Sequence, residues 1–178
     1  EASSDLTYGD YKYSVSGNEV TITGYTGSDT SLVIPAEIDG KVVRRIGYEA
    51  FRACANLKTV ELTGNVNRID TYAFAGCKSL VSIDIPQGVE VIGEYAFSSC
   101  KNLKIINLPE GLKTIGKRFL AGTAVTSLTI PSTVESGGDV YGGVTDRAEA
   151  LERIVFAEGI TRIPDYFCNN YSMETCLL

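Results

Sequence analysis

A segment of about 23 residues recurs along this chain, and repetition at that period leaves few folds open. The consensus L-x-x-I-x-I-P-x-G-V-x-x-I-G-x-x-A-F-x-x-C starts units at Leu57, Leu80 and Leu103, with looser versions at Val125 and Leu151. An earlier unit runs over 31–56, where Leu32, Ile34 and Pro35 match Ile83, Ile85 and Pro86 around an insertion from Ala36 to Lys41.

The apolar positions fall into columns: Leu57, Leu80 and Leu103; Val60, Ile83 and Ile106; Leu62, Ile85 and Leu108. Alternation over L-x-x-I-x-I is the period-2 mark of a strand with one buried face. Strands from successive turns of chain must then run parallel. Pro86-Gln87-Gly88 and Pro109-Glu110-Gly111 turn the chain, and a second apolar pair follows, Val89 with Ile92. The E-Y-A-F-S-S-C segment reads as one or two helical turns, too short to stand without packing. One coil cannot bury its own apolar edge, so coils stack. The fold expected is an α/β solenoid, a right-handed superhelix of about six coils of 22–26 residues. It carries a parallel short-stranded sheet on one side and short helical turns on the other.

Residues 1–30 lie outside the period. Tyr11 to Val15 and Val20 to Gly24 alternate around Ser16-Gly17-Asn18-Glu19, a hairpin signal. It reads as an N-terminal cap with Tyr8, Tyr11, Tyr13 and Tyr25 partly packed, and 31–178 reads as the solenoid. At the other end Met173, Cys176 and Leu178 take positions one, four and six of a seventh unit. The C-terminal coil therefore reads as incomplete, either truncated or open to weak self-association. The Val125 coil departs from the pattern, with Gly137 in an isoleucine column and Thr145 where Phe is due. Its glycines predict an irregular loop, either a contact loop or a degenerate repeat.

The chain has no histidine, which removes the commonest general base and every Ser-His or Cys-His nucleophile pair. No apolar run approaches the ~18–20 residues of a membrane span. The net charge of −6, without a Lys/Arg run, argues against nucleic acid and anionic membrane, which leaves a protein or neutral partner. The chain begins at Glu1 with no export signal visible in it, so residues alone do not place it.

Cys54, Cys77 and Cys100 follow Phe51, Phe74 and Phe97 by three, while Gly122 follows Phe119 and Asn170 follows Phe167. The position accepts residues other than cysteine. A column of parallel side chains does not converge as tetrahedral zinc requires. A disulfide is harder to exclude, because a Cα spacing of ~4.8 Å is bridgeable, yet parallel Cβ vectors and an odd count disfavour it. The column cysteines and Cys176 read as small buried apolar residues, and Cys168 stands outside the column.

On the strands, positions three and five point outward. Position three gives Thr59, Ser82, Ile105, Ser127 and Arg153; position five gives Glu61, Asp84, Asn107, Thr129 and Val155. With Asp139 and Tyr141 of the Val125 coil they form the candidate partner surface. Glu61, Asp84 and Asn107 offer oxygens to a hard cation, but a row does not surround an ion. Glu61 and Asp84 could stand at a glycosidase separation, but no cleft follows from a flat column. No catalytic, metal or cofactor residue is assigned.

The repeated consensus resembles that of the BspA-like (Treponema-type) leucine-rich repeat family over residues 31–178, and Val20 to Tyr25 with Ile38 to Lys41 resemble the way such arrays begin. The Val125 coil departs from it. The resemblance implies an extracellular or cell-surface protein of bacteria or protists, associated with adhesion to host proteins, other cells or matrix. Such repeats commonly form part of larger secreted proteins and carry no catalytic residues. The expected function is a non-enzymatic module binding protein or glycan through the strand face, or else a passive spacer presenting another domain.

Overall fold

The computed structural model describes residues 5–139, 142–160, 162–163, 167 and 176–177. The chain is a β-solenoid of about six turns. The coils contribute front strands from L-x-x-I-x-I, and those up to the Val125 coil also contribute back strands at the second apolar pair. Ser31–Val33, Thr59–Glu61, Ser82–Asp84 and Ile105–Asn107 pair in parallel along the front. Ser127–Ile130, Arg153–Phe156 and Cys176–Leu177 form a second parallel front sheet. The back strands Arg68–Ile69, Val91–Ile92 and Thr114–Ile115 were only an apolar pair in the sequence, but they join Lys41–Ile46 in one continuous ladder.

The N-terminal strands extend this back ladder. Tyr11–Ser16 and Glu19–Tyr25 form the antiparallel hairpin, and Glu19–Tyr25 pairs in parallel with Lys41–Ile46. Tyr13 is buried and Tyr11 and Tyr25 are half-buried, whereas Tyr8 is exposed, contrary to the expected packing. The insertion after Ala36 is a second small hairpin of Glu37–Ile38 against Lys41–Ile46.

Among the described residues there is no helix, so the expected short helical turns are corrected. Amides of the A-F-x-x-C segment alternate between two kinds of partner. Ala73, Ala75 and Cys77 donate locally to Asp70 O, Tyr72 O and Phe74 O, three residues back. Tyr72, Phe74 and Gly76 donate to Glu94 O, Ala96 O and Ser98 O of the next coil at 2.7–3.0 Å. A helix would turn all these amides inward and is ~10–12 Å thick, so coils could not close to ladder spacing on that side. Linked turns solve the problem by placing φ > 0 at every fourth residue, at 58° for Tyr72 and 74° for Gly76. A left-handed third residue is the type II turn signature, which glycine meets freely and Tyr95 and Ser99 meet at some steric cost.

Close stacking sets the core. The rings of Tyr25, Phe51, Phe74 and Phe97 form a file with centroids 5.4, 5.0 and 5.5 Å apart. Counting from Phe119 misplaces the next member. Phe97 N donates to Phe119 O as Phe74 N does to Ala96 O, and Thr123 N donates to Leu120 O as Cys100 N does to Phe97 O. Leu120 therefore continues the phenylalanine file, and Thr123, not Gly122, stands in the cysteine column.

This register has a consequence for the front. Cys100 reaches Leu103 in three steps, but Thr123 reaches Val125 in two. The shortened link ties Ala124 N to Leu103 O, and the front ladder is interrupted between Ile105–Asn107 and Ser127–Ile130.

The Val125 coil is more regular than its glycines predict. Ser136–Gly137 continues the back ladder, paired with Thr114 and Ile115. A Cβ on Gly137 would lie 2.4 Å from Val144 Cγ2, so Val144 occupies the volume that isoleucine fills elsewhere. Thr145 takes the phenylalanine place, fully buried, with Oγ1 donating to Phe167 O at 3.2 Å. Met173, Leu178, Cys168 and Asn170 lie outside the described residues.

Thr63 occupies the proline place of Pro86 and Pro109, and its Oγ1 is buried without a hydrogen-bond partner among the described residues. Thr63→Pro removes that hydroxyl and restricts the unfolded chain. It is expected to raise stability by about 0.4–1 kcal/mol, seen as a higher urea midpoint at unchanged slope.

Candidate binding surface

Front-strand alternation places Val60, Ile83 and Ile106 in the core and turns their neighbours to solvent. Ladder register then aligns the outward side chains across coils. Thr59, Ser82 and Ile105 form one column, and Glu61, Asp84 and Asn107 the other. The same register adds Ser31 and Val33 at the head of each column, two residues that follow from the alternation but were not picked out from the sequence. Thr59 Oγ1 donates to Ser31 Oγ at 2.8 Å, and Asn107 Nδ2 donates to Asp84 Oδ1 at 2.6 Å.

The face is polar with apolar points. Ile105 is 56% exposed and Val33 59%. A partner that covers what remains exposed of each gains roughly half of the ~1.5–3 kcal/mol of a fully buried side chain.

Not all candidate residues meet. Ser127 pairs with Arg153 and Thr129 with Val155, but in the second front sheet, beyond the interruption. Between the two sheets lies a groove of about 300 Å³, lined by Lys104, Ile105, Asn107, Thr126, Ser127 and Thr129 among others. Asp139 is elsewhere: it follows the back strand Ser136–Gly137 and accepts from Lys117 Nζ at 2.8 Å. Tyr141 lies outside the described residues. Among the described residues, no three acidic or thiol side chains converge as a metal would require.

The turn edge carries a file of tyrosines outside the front-face candidates. Tyr72 and Tyr95 stack at 4.9 Å, Tyr48 meets Tyr72 edge-on, and Arg118 Nη1 donates to Tyr95 OH at 3.0 Å. Tyr72 and Tyr95 occupy equivalent places in successive units, and that recurrence was the available signal.

The cysteine column is chemically quiet. Cys54, Cys77 and Cys100 are free thiols, and Cys77 Sγ and Cys100 Sγ donate to Phe51 O and Phe74 O at 3.1 Å. Burial, with the Cys77 thiol beside it, pushes Cys54 up to about 11. The adjacent Cys100 thiol and burial push Cys77 up as well. At pH 8 the thiolate of Cys54 is scarcer than that of a free cysteine by roughly a hundredfold. Native Cys54 is therefore expected to label slowly with iodoacetamide, speeding up as pH approaches 11, whereas all thiols label rapidly in denaturant. The folded thiol holds its proton more tightly than the unfolded one. Its contribution to stability is complete below about pH 9 and is lost as pH rises through about 11.

A family model for the BspA type leucine rich repeat region matches residues 25–140 in six copies. The chain belongs to the BspA-type leucine-rich repeat family. The described strands Arg153–Phe156 and Cys176–Leu177 continue the BspA-type stack beyond the matched span. A T. pallidum leucine-rich repeat protein is 24% identical, with a TM-score of 0.74 over 91% of this chain and 92% of that one. A leucine-rich repeat protein from Bacteroides ovatus is 29% identical, with a TM-score of 0.74 over 85% of this chain and 41% of its own length. A leucine rich cell surface protein from Faecalibacterium prausnitzii is 24% identical, with a TM-score of 0.51 over 88% of this chain and 55% of that one. This BspA-type chain thus spans about half the length of the latter two structures. Among proteins of curated function, none matches it. No helix among the described residues is long and apolar enough to cross a membrane.

Proposed function

We infer that this BspA-type chain is a non-enzymatic binding module that engages a protein or glycan partner through its front strands, at a cell surface or outside the cell. The observation that carries the reading is the pair of in-register outward columns, in which exposed Ile105 and Val33 sit among Thr59, Glu61, Ser82, Asp84 and Asn107. Solenoids of this kind bind through extended faces by many modest contacts, a few of them apolar anchors. Surface placement is supported by the F. prausnitzii protein of the same fold, which is a cell surface protein. A non-catalytic role is supported by the absence of histidine and by thiols held protonated.

The test is an array of matrix proteins and glycans probed with the intact chain and with Ile105→Asp. Saturable binding that Ile105→Asp weakens at least tenfold, with the thermal midpoint unchanged, is the expected result. No saturable binding by the intact chain would leave the passive spacer as the function.

A further inference from the structure

Stacking gathers lysines that lie far apart in the sequence. Lys58, Val81 and Lys104 occupy one position of three successive units: Val81 N donates to Lys58 O at 3.1 Å and Lys104 N to Val81 O at 2.9 Å. Lys78 and Lys101 follow the cysteine column in adjacent coils, and Asn102 Nδ2 donates to Lys78 O at 2.8 Å. All four lysines are exposed, along the edge where the turns pass into the front strands.

None of the four is held in an ion pair within 4 Å among the described residues. The ion pairs there lie on the back ladder and the turn edge. On a chain of net charge −6 this is a localised positive strip, invisible to a search for basic runs because its members are 3 to 23 residues apart. Glu152 closes it at one end, taking the Lys104 position one unit beyond Thr126. The strip therefore covers three coils, about 10 Å at a ladder spacing of ~4.8 Å. That suits a single chain, not a duplex or a membrane surface, either of which needs a broad basic face.

At Lys104 the strip reaches the groove between the two front sheets, which is lined by the amide of Asn107 and the hydroxyls of Thr126, Ser127 and Thr129. Lysine ammonium groups on flexible stems meet anions without demanding a fixed planar geometry. Hydroxyl and amide groups beside them match a hydroxyl-rich ligand. The backbone along the strip is already paired between coils, so a peptide would find no ladder bonds to add there.

We propose that Lys58, Lys78, Lys101 and Lys104, with the groove beside Ser127, bind a linear anionic polysaccharide, its sulfates or carboxylates on the lysines and a sugar in the groove. The proposal names a ligand for the edge of the front surface and rests on the reading of this chain as a binding module.

Heparin, hyaluronan, unsulfated dextran and polyglutamate serve as probes in calorimetric titrations at about 0.15 M salt, where exposed charges act over ~8 Å. Heparin or hyaluronan is expected to bind and dextran not to. Replacing all four lysines by glutamine is expected to weaken binding at least tenfold, whereas K12Q/K113Q leaves it unchanged, with circular dichroism confirming the fold of both. Ser127→Trp, which fills the groove, is expected to weaken the glycan at least threefold. Failure of both anionic glycans to bind, equal losses in the two lysine variants, or polyglutamate binding as tightly as heparin would overturn the assignment. Failure of both anionic glycans to bind, while a partner on the array is still captured, would sink this proposal and leave the front-face reading intact.

Discussion

Phe74→Ala is expected to cost about 3–5 kcal/mol, the range for emptying an aromatic site in a packed core. Phe74 is fully buried and stacked on both faces, 5.0 Å from Phe51 and 5.5 Å from Phe97, with interplanar angles of 7° and 3°. The backbone around it cannot collapse into the space, because Phe74 N and Phe51 N are tied to the next coil at Ala96 O and Ala73 O. Coils cohere only with their neighbours, so the loss falls in the middle of the array and separates its two halves energetically. Phe74→Leu should cost much less, since Leu120 occupies this column in the fourth coil. Urea unfolding followed by circular dichroism checks both, and equal losses would mean that the ring file carries no special weight.

Gly116→Ala adds one carbon and is expected to cost about 3 kcal/mol or more, at or beyond the upper end of overpacking effects. Its Cβ would lie 2.3 Å from Glu94 N, 2.5 Å from Gly93 C and 2.6 Å from Glu94 Cα. All three atoms are backbone of the preceding coil, held by the ladder bonds Gly93 N to Ile69 O and Gly116 N to Ile92 O at 2.7 Å. No rotamer change relieves such a contact, so coils must part. Gly64→Ala is the control: nothing lies within 4 Å of its Cβ, and an effect within about 0.5 kcal/mol is expected. A near-neutral Gly116→Ala by the same unfolding measurement would show that coils do not stack this closely in solution.

These two positions also show what the sequence could and could not reveal. The repeat exposed the apolar columns, because burial on one face leaves a period-2 mark in the residue types themselves. It could not distinguish a helical turn from linked β-turns in A-F-x-x-C, since both use segments of the same length and composition. The difference lies in where amides donate, and the left-handed Tyr72 and Tyr95 give no compositional hint of it. Coil register after Phe119 was misread for a related reason: identity of residue type suggested one alignment, and the bonding of Thr123 to Leu120 imposes another.

The candidate surface was partly legible. The outward places of Glu61, Asp84 and Asn107 follow from alternation, and ladder pairing sets them side by side. The interruption after Ile105–Asn107 and the gathering of lysines were not legible, because both arise from how one coil lies on the next. Asp139 looked available in the sequence and proves to be engaged by Lys117, an ion pair between neighbouring coils.

Partner binding by the front strands, and not by the back ladder, is open to direct measurement. The direct measurement is a titration of whichever protein or uncharged glycan of the array the intact chain captures, comparing the front pair E61K/D84K with the back pair E90K/E135K at equal thermal stability. A loss of at least tenfold in affinity for the front pair, with the back pair unchanged, is the predicted result. Undiminished binding by the front pair, or an equal loss in both, would contradict it.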